Sequence, residues 1–164
     1  MDIDPQALMK LAYDQAMISE SNGEVPVGAV YFDDNQVIAE SGNVSIANHD
    51  PTGHAEIIVL RKAAKAKKNH RIGGTLVVTL EPCVMCMGAM IQARIETLIF
   101  GAFDPRSGAA GSAFDLSDSS DLNHKINVLG GVMENECKAL MQNFFKSRRK
   151  KRTHSANLER KARK

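Results

Sequence analysis

Two short segments, His54-Ala55-Glu56 and Pro82-Cys83-Val84-Met85-Cys86, carry the strongest structural signal in the chain. Cysteines at positions i and i+3 project from one side of a first helical turn, where the helix dipole favours thiolates that bind zinc. His54 adds a third ligand. Three protein ligands leave one position of zinc for a water whose pKa falls to about 7, which is typical of catalytic sites. The sequence therefore predicts a catalytic centre with one zinc ion on His54, Cys83 and Cys86.

Glu56 is expected to carry protons rather than to bind the metal. Residues at i and i+2 of a regular helix point to nearly opposite sides. His54 must therefore lie at the start of its helix, with the longer Glu56 reaching the site from the first full turn. A carboxylate beside a metal-bound water can accept its proton and later protonate a leaving amine. The H-x-E and P-C-x-x-C combination resembles the known signature of the zinc nucleobase deaminases.

Two other uses of these residues stay open at the level of sequence. Four residues separate His49 from His54, so both could join Cys83 and Cys86 in a structural Cys2His2 zinc site with no open position. The cysteines could also form a redox pair, although nothing else resembles a thioredoxin motif. The structural site would leave Glu56 without a task, which favours the catalytic interpretation.

Hydrophobic periodicity predicts strands that alternate with helices. The predicted strands span residues 27–32, 36–39, 75–80, 97–100 and 127–129. The predicted helices begin at Asp4-Pro5, near Ala55, at Pro82 and at Glu134, and the last ends at about Arg152. Residues 101–124 form a loop long enough to indicate a function. This alternation predicts an α/β protein with helices on both faces of one sheet.

Length and composition indicate one globular domain. The chain has 164 residues, of which 43% are hydrophobic and 24% charged. Its 3 cysteines suit a reducing compartment better than a disulfide framework. No apolar run approaches the ~18 residues of a membrane span, and the first residues do not resemble a signal peptide. We therefore expect a soluble, cytoplasmic protein without a membrane partner.

Positive charge is concentrated near the C-terminus. Residues 146–164 contain ten Lys and Arg and one acid, a net charge of +9 that leaves −7 for residues 1–145. A local basic segment is a candidate contact for a polyanion, and a merely solvated terminus is the alternative. We divide the chain into a domain over residues 1–152 and a basic tail over residues 153–164, whose order is left open.

Further motifs resemble the bacterial tRNA-specific adenosine deaminases of the cytidine deaminase superfamily. The likeness covers about residues 5–152, and its segments are Glu24-Val25-Pro26-Val27-Gly28-Ala29-Val30, Asn48-His49-Asp50-Pro51-Thr52, Leu80-Glu81-Pro82-Cys83-Val84-Met85-Cys86, Gly88-Ala89-Met90, Gly108-Ala109-Ala110-Gly111-Ser112, Leu122-Asn123-His124 and Phe144-Phe145. The resemblance implies a three-layer α/β/α sandwich around a mixed five-stranded sheet, and a homodimer. It also implies zinc-dependent conversion of the wobble adenosine of a tRNA anticodon loop to inosine, with release of ammonia.

The resemblance also assigns substrate contacts. They are Asn43, Val27 and Ala55 at the flipped base, and Phe145, Arg148 and Arg149 toward the anticodon stem-loop. Adjacent residues diverge by about 100° on a helix, so Phe144 and Phe145 cannot share a face. Two positions depart from the family pattern, because Gly53 replaces a usual alanine and Lys146 a common arginine.

Two rival functions stay open. The metal motif is shared across the superfamily, so the substrate could be a free base or nucleoside of the guanine or cytosine type. The chain could also be a noncatalytic RNA-binding module with a structural zinc. The basic tail favours RNA over a small molecule, and Glu56 favours catalysis over binding alone.

Overall fold

A computed structural model describes residues 4–163 and shows strands alternating with helices, as the sequence predicts. The helices are α1 (Pro5–Ser21), α2 (Ala55–Lys67), α3 (Val84–Ala93) and α4 (Glu134–Ala162). The strands are β1 (Gly28–Asp33), β2 (Gln36–Gly42), β3 (Thr75–Leu80), β4 (Thr97–Ala102) and β5 (Asn127–Leu129). Over the described part of the chain, no helix is both long and apolar enough to cross a membrane.

The five strands form one mixed sheet in the order β2-β1-β3-β4-β5. Strand β1 runs antiparallel to β2 and β3, whereas β3, β4 and β5 are parallel. Alternate residues of β3 face opposite sides of the sheet. Leu76 and Val78 pack against residues of α2 and α3 on one side. Val77 packs against residues of α1 and of the start of α4 on the other. The prediction of three α/β/α layers around a mixed five-stranded sheet is therefore confirmed.

The strand directions bring several loops to one end of the sheet. Because β1 is antiparallel to both neighbours, its first residue lies beside the ends of β2 and β3. Gly28 pairs with Gly42, and its N–H donates to Thr79 Oγ1 at 3.2 Å. Helices α2 and α3 carry the predicted metal ligands at their N-termini. The fold thus gathers the candidate site where these chain segments meet.

The two edges of the sheet differ in length. At one edge, β5 contains only three residues. At the other edge, the Glu40 carbonyl oxygen of β2 accepts a hydrogen bond from Lys62 Nζ at 3.0 Å. The β1–β2 register also shifts between Tyr31 and Phe32, which marks a bulge or irregularity.

Helix α4 is longer than the sequence predicted. The prediction ended it at about Arg152, but it continues to Ala162 and crosses the expected domain boundary without a break. Its buried residues, Cys137, Leu140 and Phe144, all lie in its first half. The second half has no apolar periodicity to signal a helix, yet it contains no Gly or Pro to stop one. The segment 153–162 is therefore an exposed helical extension.

Helix α1 lies so close to the sheet that side chains at two glycines would clash. A Cβ added at Gly28 would lie 1.9 Å from the Ala12 carbonyl oxygen, and one added at Gly42 would lie 1.8 Å from Ser19 Oγ. The first of these atoms is backbone and cannot rotate away. The α1–β1 contact therefore requires glycine at position 28.

We expect Gly28→Ala to lower the free energy of unfolding by about 1–3 kcal/mol, because α1 must move away from the sheet. Urea denaturation of the purified protein measures this change. Gly88→Ala is the matched control, since its Cβ would have nothing within 4 Å. In helix α3 that change should be neutral or stabilising by up to about 1 kcal/mol. Equal effects of the two substitutions would contradict the proposed close contact.

Candidate active site

The structure brings His54, Cys83 and Cys86 together with their ligand atoms within 4.8 Å of one another. His54 is the N-cap of α2, and Cys83 is the N-cap of α3, with Cys86 in its first turn. His54 Nδ1 lies 3.7 Å from Cys83 Sγ and 3.5 Å from Cys86 Sγ. Zinc bonded tetrahedrally to nitrogen at about 2.0 Å and sulfur at about 2.3 Å would separate those atoms by about 3.5 Å. The donor set therefore fits zinc.

His49 lies apart from this cluster. It is exposed and adopts a left-handed backbone conformation in the loop before α2. Among the residues that the structure describes, the group with metal-ligand geometry contains His54, Cys83 and Cys86 only. The geometry therefore favours three protein ligands over a closed Cys2His2 site.

The pKa values of the two cysteine thiols shift in opposite directions. A hydrogen bond with Cys86 lowers the pKa of Cys83 to about 4, and His54 acts in the same direction. The same hydrogen bond, followed by burial, raises the pKa of Cys86. The Cys83 partner also raises the pKa of His54. A divalent cation would take the place of the shared protons, so metal binding should release protons from this cluster.

Glu56 is buried beside these ligands. Its side chain is in the first turn of α2, and the residue is only 4% exposed. Burial raises the pKa of Glu56 to about 7. A carboxyl group with a pKa near neutrality is suited both to accept and to donate a proton.

Asn43 supplies the helix cap that His54 does not. The side chain of His54 makes no capping hydrogen bond, and the Ala55 N–H donates instead to Asn43 Oδ1 at 2.8 Å. The Asn43 N–H donates to the Val27 carbonyl oxygen at 3.0 Å, and its own carbonyl oxygen accepts from Ser19 Oγ at 3.0 Å. Three predicted base contacts, Asn43, Val27 and Ala55, are therefore joined by hydrogen bonds at the start of α2.

Sequence reasoning missed two buried carboxylates, Glu24 and Glu81. Glu24 accepts the N–H groups of Ile46 and Ala47 at 3.1 and 2.7 Å, which fixes the loop between Asn43 and His54. The available signal was an acidic residue directly bordering an apolar segment, which is costly to bury without hydrogen-bond donors.

The predicted RNA contacts lie on α4, outside the metal cluster. Phe144 packs inward, whereas Phe145 is 43% exposed. Arg148 Nη2 donates to the Gly23 carbonyl oxygen at 2.6 Å, and its guanidinium lies 5.0 Å from the centre of the Phe144 ring. Arg149 is exposed. Arg148 thus fastens α4 to the end of α1, while Arg149 and Phe145 face solvent.

Comparisons with known proteins agree with this geometry. The model of the MafB19-like deaminase family matches residues 3–149. The chain is also 46% identical over 149 residues to the tRNA-specific adenosine deaminase of Haemophilus influenzae, a match covering 90% of this chain and 86% of that protein. The chain belongs to the tRNA-specific adenosine deaminase family.

Solved structures support the same fold for this family member. One comes from studies of A-to-I editing by tRNA:A34 deaminases at the wobble position of transfer RNA. It has a TM-score of 0.79 and 41% identity, covering 82% of this chain and 98% of that one. Guanine deaminase from Bacillus subtilis has a TM-score of 0.60 and 26% identity, covering 90% of this chain and 95% of that one. The predicted cytidine deaminase-like fold is confirmed.

Replacing Glu56 with glutamine should separate proton transfer from metal binding in this deaminase. Because Glu56 is not among the ligand atoms, Glu56→Gln should keep the metal content of the wild type. Its deamination rate should fall by at least ~10²–10⁴, the usual effect of a positioned acid–base group. Metal analysis and single-turnover assays on one preparation measure both quantities. Loss of metal from the variant would show that Glu56 supports the metal site instead.

Proposed function

We propose that this protein is a zinc-dependent hydrolase that converts the wobble adenosine of a tRNA anticodon loop to inosine and releases ammonia. The observation that carries the proposal is the cluster of His54, Cys83 and Cys86 with the buried Glu56 beside it, in a member of this family. A structural zinc would need no such carboxyl group. The proposal therefore favours an enzyme over a noncatalytic RNA-binding module.

Different residues would bind the metal and transfer protons. His54, Cys83 and Cys86 would hold one zinc ion per chain, and the zinc would supply a water of lowered pKa. Glu56 would accept one proton of the water at its carboxylate oxygen and pass it to a ring nitrogen. It would then accept the second proton of the water and pass it to the departing amine. Water and adenosine are consumed, and inosine and ammonia are formed.

Asn43 is proposed to recognise the flipped base. Its Oδ1 is held by the Ala55 N–H, so the attached NH2 group is oriented and can donate to an acceptor atom of the base. Val27, buried immediately before β1, would pack against the same base. A base can reach this position only after leaving its stack, so the target should be an unpaired loop nucleotide.

The exposed side chains of α4 are proposed to contact the anticodon stem-loop. Phe145 and Arg149 remain available to RNA, whereas Arg148 is engaged with Gly23 and Phe144. The ten Lys and Arg of residues 146–164 give this region the positive charge that a phosphate backbone requires. A small-molecule deaminase has no evident use for such a helix.

The proposal also covers the oligomeric state and the cellular location of the protein. The homodimer implied by the family resemblance stays a prediction. A tRNA substrate would place the reaction in the cytoplasm. We retain residues 1–152 as the deaminase domain, and the rest of α4 forms its helical extension.

The decisive experiment incubates the zinc-loaded protein with an anticodon stem-loop that carries a wobble adenosine. Inosine should form at that position, and Glu56→Gln protein on the same RNA is the control. Parallel reactions contain free guanine, cytosine, adenosine, or the same adenosine placed in a duplex stem. Deamination of guanine or cytosine with no inosine in the loop RNA would instead support the small-molecule enzyme.

Arg148 and Arg149 offer a matched pair for testing the RNA contact. Arg149→Ala should weaken stem-loop binding and lower the log–log salt slope by about 0.7–0.9, the effect of losing one phosphate contact. Arg148→Ala should lower the free energy of unfolding by about 1 kcal/mol, because a hydrogen bond and a cation–π contact are lost. Fluorescence anisotropy at several salt concentrations and urea denaturation measure these effects. An unchanged salt slope for Arg149→Ala would show that Arg149 faces solvent and does not contact a phosphate.

A further inference from the structure

Glu81 is a buried carboxylate whose hydrogen-bond partners all come from one loop. The residue is 2% exposed and lies between the end of β3 and the cysteine-bearing turn. Its Oε2 accepts the Asp104 N–H at 2.9 Å and the Ser112 hydroxyl. Its Oε1 accepts the N–H groups of Ala110 and Ser112 at 3.2 and 3.0 Å. We call residues 104–114 the β4 loop.

The β4 loop is shaped around this carboxylate. A Cβ at Gly108 would lie 2.4 Å from Glu81 Oε2, so only glycine fits beside the buried charge. In the described structure no Lys, Arg or His is paired with Glu81. Backbone N–H groups and one hydroxyl therefore satisfy the charge, so the carboxylate serves as an internal anion around which the loop folds.

The same contacts fasten the β4 loop to the metal-binding turn. Glu81 directly precedes Pro82 and Cys83, and the Ala109 N–H donates to the Pro82 carbonyl oxygen at 2.8 Å. From Gly108 the loop reaches Phe114, whose N–H donates to the Gly108 carbonyl oxygen at 3.0 Å. Phe114 is 54% exposed. The loop is therefore hydrogen-bonded to the residue before Cys83 and also presents an exposed aromatic side chain.

We propose that Glu81 is a positioning residue for RNA, holding the β4 loop in the conformation that binds nucleotides beside the flipped adenosine. This inference rests on the proposed function, because unpaired bases stack on exposed aromatic side chains such as Phe114. The metal ligands and Glu56 are supplied by the starts of α2 and α3, and no residue of the β4 loop is among them. Releasing the loop should therefore reduce the fraction of binding-competent protein and leave the chemical step intact.

Glu81→Gln tests this directly. Glutamine has the same shape, but its NH2 group must face either the Asp104 N–H or the N–H groups of Ala110 and Ser112, so at least one backbone hydrogen bond is lost. If the competent fraction falls to about a tenth, Kd and KM for the stem-loop rise about tenfold while kcat changes by less than about threefold. Kd is measured in a Glu56→Gln background, where the RNA is not consumed. Hydrogen exchange should accelerate at one or more of the three amides that donate to Glu81, those of Asp104, Ala110 and Ser112, and the metal content should match wild type.

Asp115→Asn is the matched control, because it removes a carboxylate charge from the adjoining segment. Asp115 is exposed and accepts only the N–H and hydroxyl of Ser117. The Asp115→Asn variant should keep the wild-type KM and the wild-type rate of hydrogen exchange at the Ala110 amide. If Glu81→Gln yields little folded protein, Ser112→Ala removes one hydroxyl contact and should move Kd and amide exchange in the same direction, by less.

Several results would overturn the inference. Unchanged amide exchange in Glu81→Gln would show that the carboxylate does not hold the loop. Loss of metal, or a fall in kcat without a rise in KM, would assign Glu81 to support of the metal site. If wild-type protein forms no inosine in the stem-loop, the proposed function fails, whereas the exchange experiment still tests the loop contact.

Discussion

The meeting of two helix N-termini at one end of the sheet is the constraint on which the site depends. Because β1 is antiparallel to both β2 and β3, these two strands end at the same side of the sheet, and the starts of α2 and α3 that follow them lie together. His54 and Cys83 occupy the N-cap positions of these helices. Ser, Thr, Asp or Asn would normally satisfy the free N–H groups there. Neither His54 nor Cys83 makes that bond with its own side chain, and in α2 Asn43 Oδ1 accepts from the Ala55 N–H instead. The positive ends of both helix dipoles face the cluster, where they favour thiolate.

Three buried glutamates, Glu24, Glu56 and Glu81, differ in the number of hydrogen-bond donors around their carboxyl groups. Glu24 and Glu81 each accept several hydrogen bonds, mostly from backbone N–H groups, and each organises a loop. Glu56 makes no comparable set of contacts within the described residues, and burial raises its pKa to about 7. Backbone donors therefore hold the carboxyl groups of Glu24 and Glu81 in place, whereas Glu56, which lacks such donors, suits the proton-carrying role proposed for it.

Local patterns predicted most of the architecture, and long-range contacts explain what they missed. The Asp4-Pro5 start, the two metal segments and the five strands were readable, because periodicity and capping act within a few residues. The trans cap from Asn43 to Ala55 and the Glu81 contacts with residues 104–112 join segments far apart in sequence. The extent of α4 was missed because its exposed half carries no apolar stripe.

The short β5 edge and the Lys62 contact on β2 have a consequence for how the protein behaves in concentrated solution. An open strand edge is a template on which another chain can add a strand, and such growth leads to aggregation. Here one edge is only three residues long, and a lysine ammonium group covers a carbonyl oxygen of the other. The β5 edge therefore offers little backbone to a second chain, and at the β2 edge an added strand would have to displace Lys62 before it could pair with Glu40.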